Sequence, residues 1–218
     1  MILILSIIGI FGLLFLEYYI YKRDNSNIKI RQFILSNKFF EVLIELIIIV
    51  LGATIAINFS NLQEQKKDKE KSIALLKAAK VEIEESYNMN KHYISMYDEK
   101  KIGIGELKYN TSYNISTLNK IIDNDTVMVT ITPLSYRIFC NNLDNANKFN
   151  TLLMKADAKD ENIYRYVNAI DSHLENIIFE INNEILHLKG RSTEKNLEKK
   201  YSSYIKLKYK RIDENVIN

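Results

Sequence analysis

Two long apolar stretches within the first sixty residues constrain this chain more than any other feature. Ile2–Ile20 is almost continuously apolar, and Phe39–Phe59 forms a second block. At a rise of about 1.5 Å per residue, the first stretch as a helix nearly spans the roughly 30 Å hydrocarbon core of a bilayer, and the second spans it. The N-terminus has neither the positive start nor the cleavage site of a signal peptide. The sequence therefore predicts two retained transmembrane helices, at about 2–20 and 39–59.

The second predicted span contains a pair of carboxylates, which are unusual in lipid, and a pattern of small residues. Glu41 and Glu45 are four residues apart and share one helix face, near Lys38. They are interpreted either as a pore-lining or helix-packing acidic face, or as carboxylates at the headgroup boundary beside Lys38. Gly52 and Ala56 form a small-xxx-small pattern, which lets a second helix approach closely. This pattern favours oligomerisation or packing of the two spans.

The remaining residues are polar and point to helices. The chain has one proline, six glycines and no tryptophan, whereas sandwiches and barrels need many turn residues. A net charge of +3 is too small for a dedicated nucleic-acid binder. Cys140 is the one cysteine, so no disulfide can form within the chain. We therefore divide the chain into a membrane domain, 1–60, and a helical soluble domain, 61–218.

A heptad-like stripe follows the second span. Apolar side chains recur at steps of three, four and seven residues, at Ile73, Leu76, Ile83, Tyr87, Ile94 and Tyr97. A stripe this narrow predicts a seam for another helix, either from the same chain or from a neighbouring copy. The second alternative makes it a candidate oligomer seam.

Further elements follow from local signals. Lys101–Glu106, with two glycines, is predicted to be a turn, and Ser112–Asp123 a short helix. Thr126–Thr132 alternates apolar and polar residues, which predicts an extended linker or a strand that pairs with a neighbouring copy.

The C-terminal half predicts three helices. Thr132 and Pro133 mark a helix start, and this helix is expected to reach about Asn147. A long helix is predicted over about Asp160–Lys189 with Gly190 as its C-cap, and a last helix from Thr193. The predicted fold class is all-α, with two N-terminal transmembrane helices followed by an elongated, antiparallel, coiled-coil-like bundle.

The segment Glu45–Gln65, ELIIIVLGATIAINFSNLQEQ, resembles a family of uncharacterised bacterial membrane proteins, a domain of unknown function. Members have a GE-x6-G-x3-A transmembrane segment followed by a polar NNWNE-like exit. Glu45, Gly52, Ala56, Asn61 and Glu64 match this pattern, whereas Ile44 and Leu62 replace its glycine and tryptophan. Farther along, Pro133, Ser135 and Tyr136 resemble the P-S-x-Y helix start of that family.

Members of that family usually have one span behind a basic N-terminus. This chain departs from the family by adding the predicted helix Ile2–Ile20. The resemblance and the added helix together imply a multi-pass protein of the bacterial cytoplasmic membrane, with an outward N-terminus, the loop Lys22–Lys38 inside and the bundle outside. Basic residues flank both ends of the second span in similar number, so the positive-inside rule favours neither orientation.

No pattern in the sequence predicts an enzyme, a cofactor or a metal site. The three histidines are far apart, and phosphate-binding and nucleophile motifs are missing. Arg165 and His173 come nearest to a ribonuclease-like Arg-x4-6-His element, but seven residues separate them. The paired carboxylates of the soluble part, such as Glu84 and Glu85, are interpreted as solvated helix faces.

The leading functional hypothesis is a non-enzymatic, oligomeric scaffold or sensor anchored in the membrane. Its expected partners are the lipid bilayer, further copies of the chain and a possible protein partner, without nucleic acid. The alternative is a membrane-perturbing or pore-forming effector of the phage-defence or toxin type, in which Glu41 and Glu45 line the pore.

Overall fold

A computed structural model describes Tyr19 and residues 37–217 of the chain. The predicted transmembrane helix Ile2–Ile20 lies outside the described residues except for Tyr19. The described part contains seven helices and no strand, which confirms the all-α class. The helices are α1 (Asn37–Asp98), α2 (Ile104–Asn110), α3 (Ser116–Ile122), α4 (Asp125–Thr130), α5 (Pro133–Lys155), α6 (Asn162–Leu188) and α7 (Glu194–Ile217).

The chain divides into two compact units, Met1–Lys66 and Lys67–Asn218. In the described part of the first unit, helix α1 from Leu43 onward is long and apolar enough to cross a membrane, and no other described helix is. Nine of its large apolar side chains from Ile44 to Leu62 are exposed, from 46% at Leu51 to 67% at Ile49 and Ile55, whereas Ile47 and Val50 are half-buried. Water is a poor solvent for such an apolar surface.

The second unit is a helical bundle in which α6 is the central helix. Helices α1, α5 and α7 all run antiparallel to it, as the order of the contacting residues shows. Tyr97 and Tyr164 of α1 and α6 have ring centroids 5.3 Å apart. Thr132, before α5, contacts Glu184 near the end of α6, and Lys208 of α7 bonds to Ser172. A helix covered on three sides needs a wide apolar face, and eight apolar side chains of α6 are buried: Ile163, Val167, Ile170, Leu174, Ile177, Ile181, Ile185 and Leu188.

Because α1 and α5 point the same way, the chain must return along the bundle between them, and the segment containing α2, α3 and α4 does this. Lys108 Nζ donates to the carbonyl oxygen of Ala156 over 2.6 Å, just beyond the end of α5. The backbone of Ser112 exchanges two hydrogen bonds with the Asn90 side chain. Farther along, Glu82 of α1 accepts hydrogen bonds from the backbone N–H groups that begin α3.

The prediction that Thr126–Thr132 is extended is wrong, because residues 125–130 form α4. The Asn124 side chain accepts a hydrogen bond from the Val127 N–H over 3.1 Å and caps the helix. Only Val127 and Ile131 of the alternating apolar residues are buried, whereas Val129 is 79% exposed. A local cap and burial at a four-residue spacing therefore override the period of two.

The predicted turn Lys101–Glu106 is also misplaced. Helix α1 ends at Asp98. Two residues later, Lys100 adopts the left-handed conformation with φ of 57°, and α2 begins at Ile104. Gly105 therefore lies in a helix, where an added Cβ would be 3.3 Å from the Ala158 carbonyl oxygen. The predicted helix Ser112–Asp123 is shorter than expected, since Asn90 holds Ser112 in a non-helical backbone.

Two helix boundaries follow the sequence signals closely. Thr132 caps α5 by accepting the Ser135 N–H, with Pro133 in the first turn. Gly190 has φ of 71° and ends α6 in a Schellman motif, in which its N–H and that of Arg191 bond back to His187 and Leu186. Helix α5 continues to Lys155 instead of Asn147, and Leu153 extends its buried side.

Candidate functional site: acidic side chains in and around the bundle core

The residues singled out in the second predicted span lie on the open surface of α1. Glu41 and Glu45 are exposed, as is Ala56. A Cβ added at Gly52 would meet no atom of the described residues within 4 Å. The small-xxx-small surface is thus unoccupied within the described part of the chain. Its role in pairing of spans or of copies stays a prediction.

The heptad-like stripe lies in the core of the second unit. Leu76 and Ile83 are 0% exposed and Ile94 is 7% exposed, whereas Ile73, Tyr87 and Tyr97 are half-buried against the same core. The helices that cover the stripe belong to the same chain, which is the first of the two alternatives. An oligomer that used these residues would have to exchange helices between copies.

Two fully buried carboxylates on α6 form the strongest polar cluster. Glu180 and Glu184 are each 0% exposed and lie one turn apart, facing the start of α5. The Ser135 hydroxyl oxygen lies 2.5 Å from Glu180 Oε1 and 2.5 Å from Glu184 Oε2. Thr132 adds a backbone N–H, 3.0 Å from Glu184 Oε1, and a hydroxyl, 2.9 Å from Glu184 Oε2. The same residues that cap α5 thus bind the acidic pair.

The two carboxyl groups differ in how well they are supported. Glu184 is contacted through both oxygens, whereas Glu180 Oε2 is buried without a hydrogen-bond partner in the described part of the chain. Burial raises the pKa of Glu180 to about 7, against the hydrogen bond from Ser135 and with the help of the charge of Glu184. Glu180 is therefore a group that can hold a proton close to neutral pH.

Asp171 is a second buried acid, nearer the start of α6. It is 2% exposed, and neither carboxyl oxygen has a well-formed hydrogen bond from a described residue. Asn90 lies close to it, but the Asn90 amide is already bonded to Ser112. Burial raises the pKa of Asp171 to about 6, and Glu175 adds to this, while Asn90 and the cations of Lys91 and Lys208 oppose it.

Lys208 of α7 is the cation that lies among these groups. Its Nζ is 2.9 Å from Glu175 Oε2 and donates to Ser172 O and Asn176 Oδ1, each over 2.8 Å. Burial lowers the pKa of Lys208, although the ion pair with Glu175 opposes this shift. These contacts connect α7 to α6.

An amide–imidazole network joins α5 to α6 at mid-bundle. His173 Nδ1 lies 3.0 Å from Asn142 Oδ1, and Asn176 Nδ2 donates to the same oxygen over 2.9 Å. The His173 ring stacks on Phe149 with centroids 6.0 Å apart. Burial lowers the pKa of His173 and favours its neutral form. This geometry is that of a packing contact between helices.

Arg165 is not part of this network. It is exposed and lies eight residues before His173, roughly 12 Å along the helix.

Within the described residues, no three side chains of His, Cys, Asp and Glu come together as metal ligands would. The buried acids are closed to solvent, so the chemistry open to them is holding and exchanging protons.

Glu180, Glu184 and Asp171 were not predicted as site residues, because charged residues beside an apolar stripe are usually solvated. One signal was present. Glu180 and Glu184 directly flank the buried stripe of α6 on a single side, and the capping sequence Thr132–Ser135 supplies hydroxyl groups. Recognising the contact requires knowing that α5 begins opposite the end of α6.

In comparisons with known proteins, no family model, no curated protein and no solved structure matches this chain.

Proposed function

We propose that this chain is a non-enzymatic helical protein anchored in a membrane by α1, with the bundle 67–218 acting as a sensor or scaffold. The observation that carries the proposal is the series of exposed large apolar side chains of α1 between Ile44 and Leu62. Burying each of these side chains in lipid is favourable by about 1.5–3 kcal/mol. In water the same surface would drive aggregation.

The character of the bundle supports a role without catalysis. Glu180 and Glu184 are buried within its core, and Glu84 is paired with Lys80 at the surface. A catalytic acid or base needs to reach a substrate within hydrogen-bonding distance. Polar contacts that join helices, such as those of Asn142 and His173, suit a structural or switching role.

Membrane attachment is tested by carbonate extraction and flotation of the full-length chain. We expect the wild type to stay with the membranes. Replacement of Ile48, Ile49 and Ile55 by lysine should weaken insertion, because lysine at mid-membrane costs about 2.5–3.5 kcal/mol per residue. The control replaces Val81 and Met89, two exposed apolar residues of the bundle, by lysine as well, and should leave attachment unchanged. Release of the wild type into the soluble fraction would refute the proposal.

The proposal includes self-association through the open small-residue surface of α1. Gly52→Ile should reduce chemical crosslinking and lower the oligomer mass in detergent, since a close approach of helices needs a small side chain there. Ala53→Ile is the control, because residue 53 is turned about 100° from residue 52 around the helix. A monomeric wild type at every concentration would contradict self-association.

A membrane-perturbing effector is the second candidate, favoured by the exposure of Glu41 and Glu45 on an apolar helix. Carboxylates there require a water-filled path, a partner or a headgroup. Overexpression should then depolarise cells, and Glu45→Ala should abolish the leak. An unchanged leak in Glu45→Ala would exclude the acidic face as its cause.

The resemblance described above further suggests that the bundle lies outside the cytoplasm. Accessibility of a cysteine placed at exposed Ser202, compared with half-buried Cys140, tests this orientation in intact cells. Labelling by an impermeant thiol reagent is expected for Ser202→Cys, and labelling only after lysis would place the bundle inside.

A further inference from the structure

We propose that Glu180 and Glu184 share a single proton through the Ser135 hydroxyl, and that loss of this proton loosens the contact between the start of α5 and the end of α6. The proposal goes beyond membrane anchoring and does not depend on it. It rests on the number of hydrogens that the observed contacts require.

The Ser135 hydroxyl has one hydrogen but contacts two carboxylates. It lies 2.5 Å from Glu180 Oε1 and 2.5 Å from Glu184 Oε2, distances typical of short hydrogen bonds to a carboxylate. If both glutamates were ionised, one contact would set a carboxylate oxygen against the lone pairs of the hydroxyl. Both contacts are satisfied only when one carboxyl group carries a hydrogen.

The Thr132 hydroxyl cannot supply the missing hydrogen. It contacts Glu184 Oε2 and Ser135 Oγ, each at 2.9 Å, and so has no contact with Glu180. With one added proton, every contact between a hydroxyl and a carboxylate has a hydrogen, and the two hydroxyl oxygens lie 2.9 Å apart because both donate to Glu184 Oε2. Glu180 donates to Ser135, Ser135 donates to Glu184, Thr132 donates to Glu184, and the Ser135 N–H donates to Thr132.

The proton can change sides without leaving the cluster. If Ser135 gives its hydrogen to Glu184 while it takes the hydrogen of Glu180, the hydroxyl is restored, and the charge has moved from Glu184 to Glu180. Glu184 is the better site for the charge, because it also accepts the Thr132 N–H, whereas Glu180 Oε2 has no partner among the described residues. The proton therefore resides mainly on Glu180.

In the described part of the chain, no neighbouring cation lowers the pKa of Glu180. Glu184 is the titratable group whose charge acts on it, and α5 presents the uncharged Ser135 and Thr132. On α1, the antiparallel order places Lys80 and Glu84 near this level, and these two pair with each other at 3.4 Å. On α7, the titratable side chains one turn before Tyr204 are Lys200, which is exposed to solvent, and Tyr201, which is half-buried.

Deprotonation would leave two negatively charged carboxylates in a buried site. The Ser135 hydroxyl would then have one hydrogen to donate to the two of them. Like charges this close in a poorly solvated site repel strongly. The contact can relieve the repulsion by admitting water, which separates α5 from α6 at Thr132 and Ser135. Since burial places the pKa of Glu180 near neutrality, this opening would respond to changes around neutral pH.

The shared proton is tested by infrared pH-difference spectra of the full-length protein in detergent. We expect a carboxylic-acid C=O band from the pair that disappears as the pH rises from about 5.5 to about 8.5, beside a separate band from Asp171, whose pKa is about 6 and which every variant keeps. Glu180→Gln should remove this band, because an amide can donate to Ser135 without a titratable proton. Glu184→Gln should remove it too, since its amide supplies the missing hydrogen. Glu198→Gln, at an exposed position of α7, is the control and should keep it.

Each spectrum decides a different point. If the wild type showed no titrating band that is missing in Glu180→Gln, the pair would not be protonated, and the proposal would be overturned. A band that survives in Glu184→Gln would belong to Glu180 alone and would overturn the sharing. A band in the wild type that is abolished by added Ca²⁺ or Na⁺ at constant pH would identify a cation site in place of the shared proton.

The loosening is tested separately by hydrogen exchange, read by mass spectrometry in peptides that cover Thr132–Ser135 and Glu180–Glu184. At about pH 8.5 the wild type should exchange several-fold faster there than Glu180→Gln, and at about pH 5.5 the two should agree. Comparison at a fixed pH removes the intrinsic effect of pH on exchange. Equal rates at both pH values would refute the loosening.

Discussion

Replacing Glu180 by glutamine is expected to make the bundle more stable at alkaline pH and to leave its stability nearly unchanged at acidic pH. The pKa of Glu180 is about 7 in the folded chain, compared with 4.5 as its ordinary value. Between these values the folded chain holds a proton that the unfolded chain releases. The free energy of unfolding therefore falls as the pH rises through this window. The stabilisation is complete below about pH 4.5 and is lost above about pH 7.

The magnitude follows from the width of the window. One pKa unit corresponds to about 1.4 kcal/mol, so the full shift amounts to about 3 kcal/mol. Glutamine has a similar shape and can donate to Ser135 as the protonated acid does, but it does not ionise. We therefore expect Glu180→Gln to exceed the wild type by up to about 3 kcal/mol at about pH 8 and to match it at about pH 4.5.

Urea unfolding of the full-length protein in a mild detergent, followed by far-ultraviolet circular dichroism, measures this difference. Asp171, whose pKa is raised to about 6 from 3.8, contributes a slope of the same sign, but this slope is common to both proteins and cancels. Glu198→Gln removes an exposed carboxylate from α7 and should follow the wild type. If the curves of Glu180→Gln and the wild type ran parallel from acidic to alkaline pH, the reasoning would be refuted.

Three further substitutions and one control test the architecture, each by urea unfolding unless stated. Gly190→Ala should cost about 1 kcal/mol, because residue 190 has φ of 71° in otherwise open space; no loss would contradict the left-handed end of α6. Glu82→Gln should cost about 1 kcal/mol and increase hydrogen exchange in α3, because this carboxylate caps its first N–H groups; unchanged exchange would count against the cap. Ile177→Ala should cost about 2–5 kcal/mol, since residue 177 is 0% exposed, whereas Tyr109→Ser, at a 77% exposed position, should stay within about 0.5 kcal/mol of the wild type.

Local sequence signals determined the boundaries that depend on neighbouring residues. Thr132 and Pro133 mark the start of α5 because a hydroxyl satisfies a free N–H of the first turn and proline needs no partner there. Gly190 marks the end of α6 because it adopts a positive φ without strain. The apolar stripe of α6 was likewise evident, because its period of 3.5 residues depends only on helix geometry.

Contacts between distant residues decided the rest. The alternation in Thr126–Thr132 is compatible with a strand, but only the bundle shows that Val127 is covered and Val129 is not. The stripe that includes Leu76 and Ile83 could have met another copy, but it lies in the core of the bundle, where α6 runs back along α1.

The sequence by itself determined that the chain is helical, that a long apolar segment precedes a polar one, and where several helices begin and end. Tertiary structure alone decided that Glu180 and Glu184 are buried, because periodicity reveals which face a residue occupies but not what covers that face. Their proximity to Ser135 joins residues 45 and 49 positions apart, and no local pattern encodes such a contact.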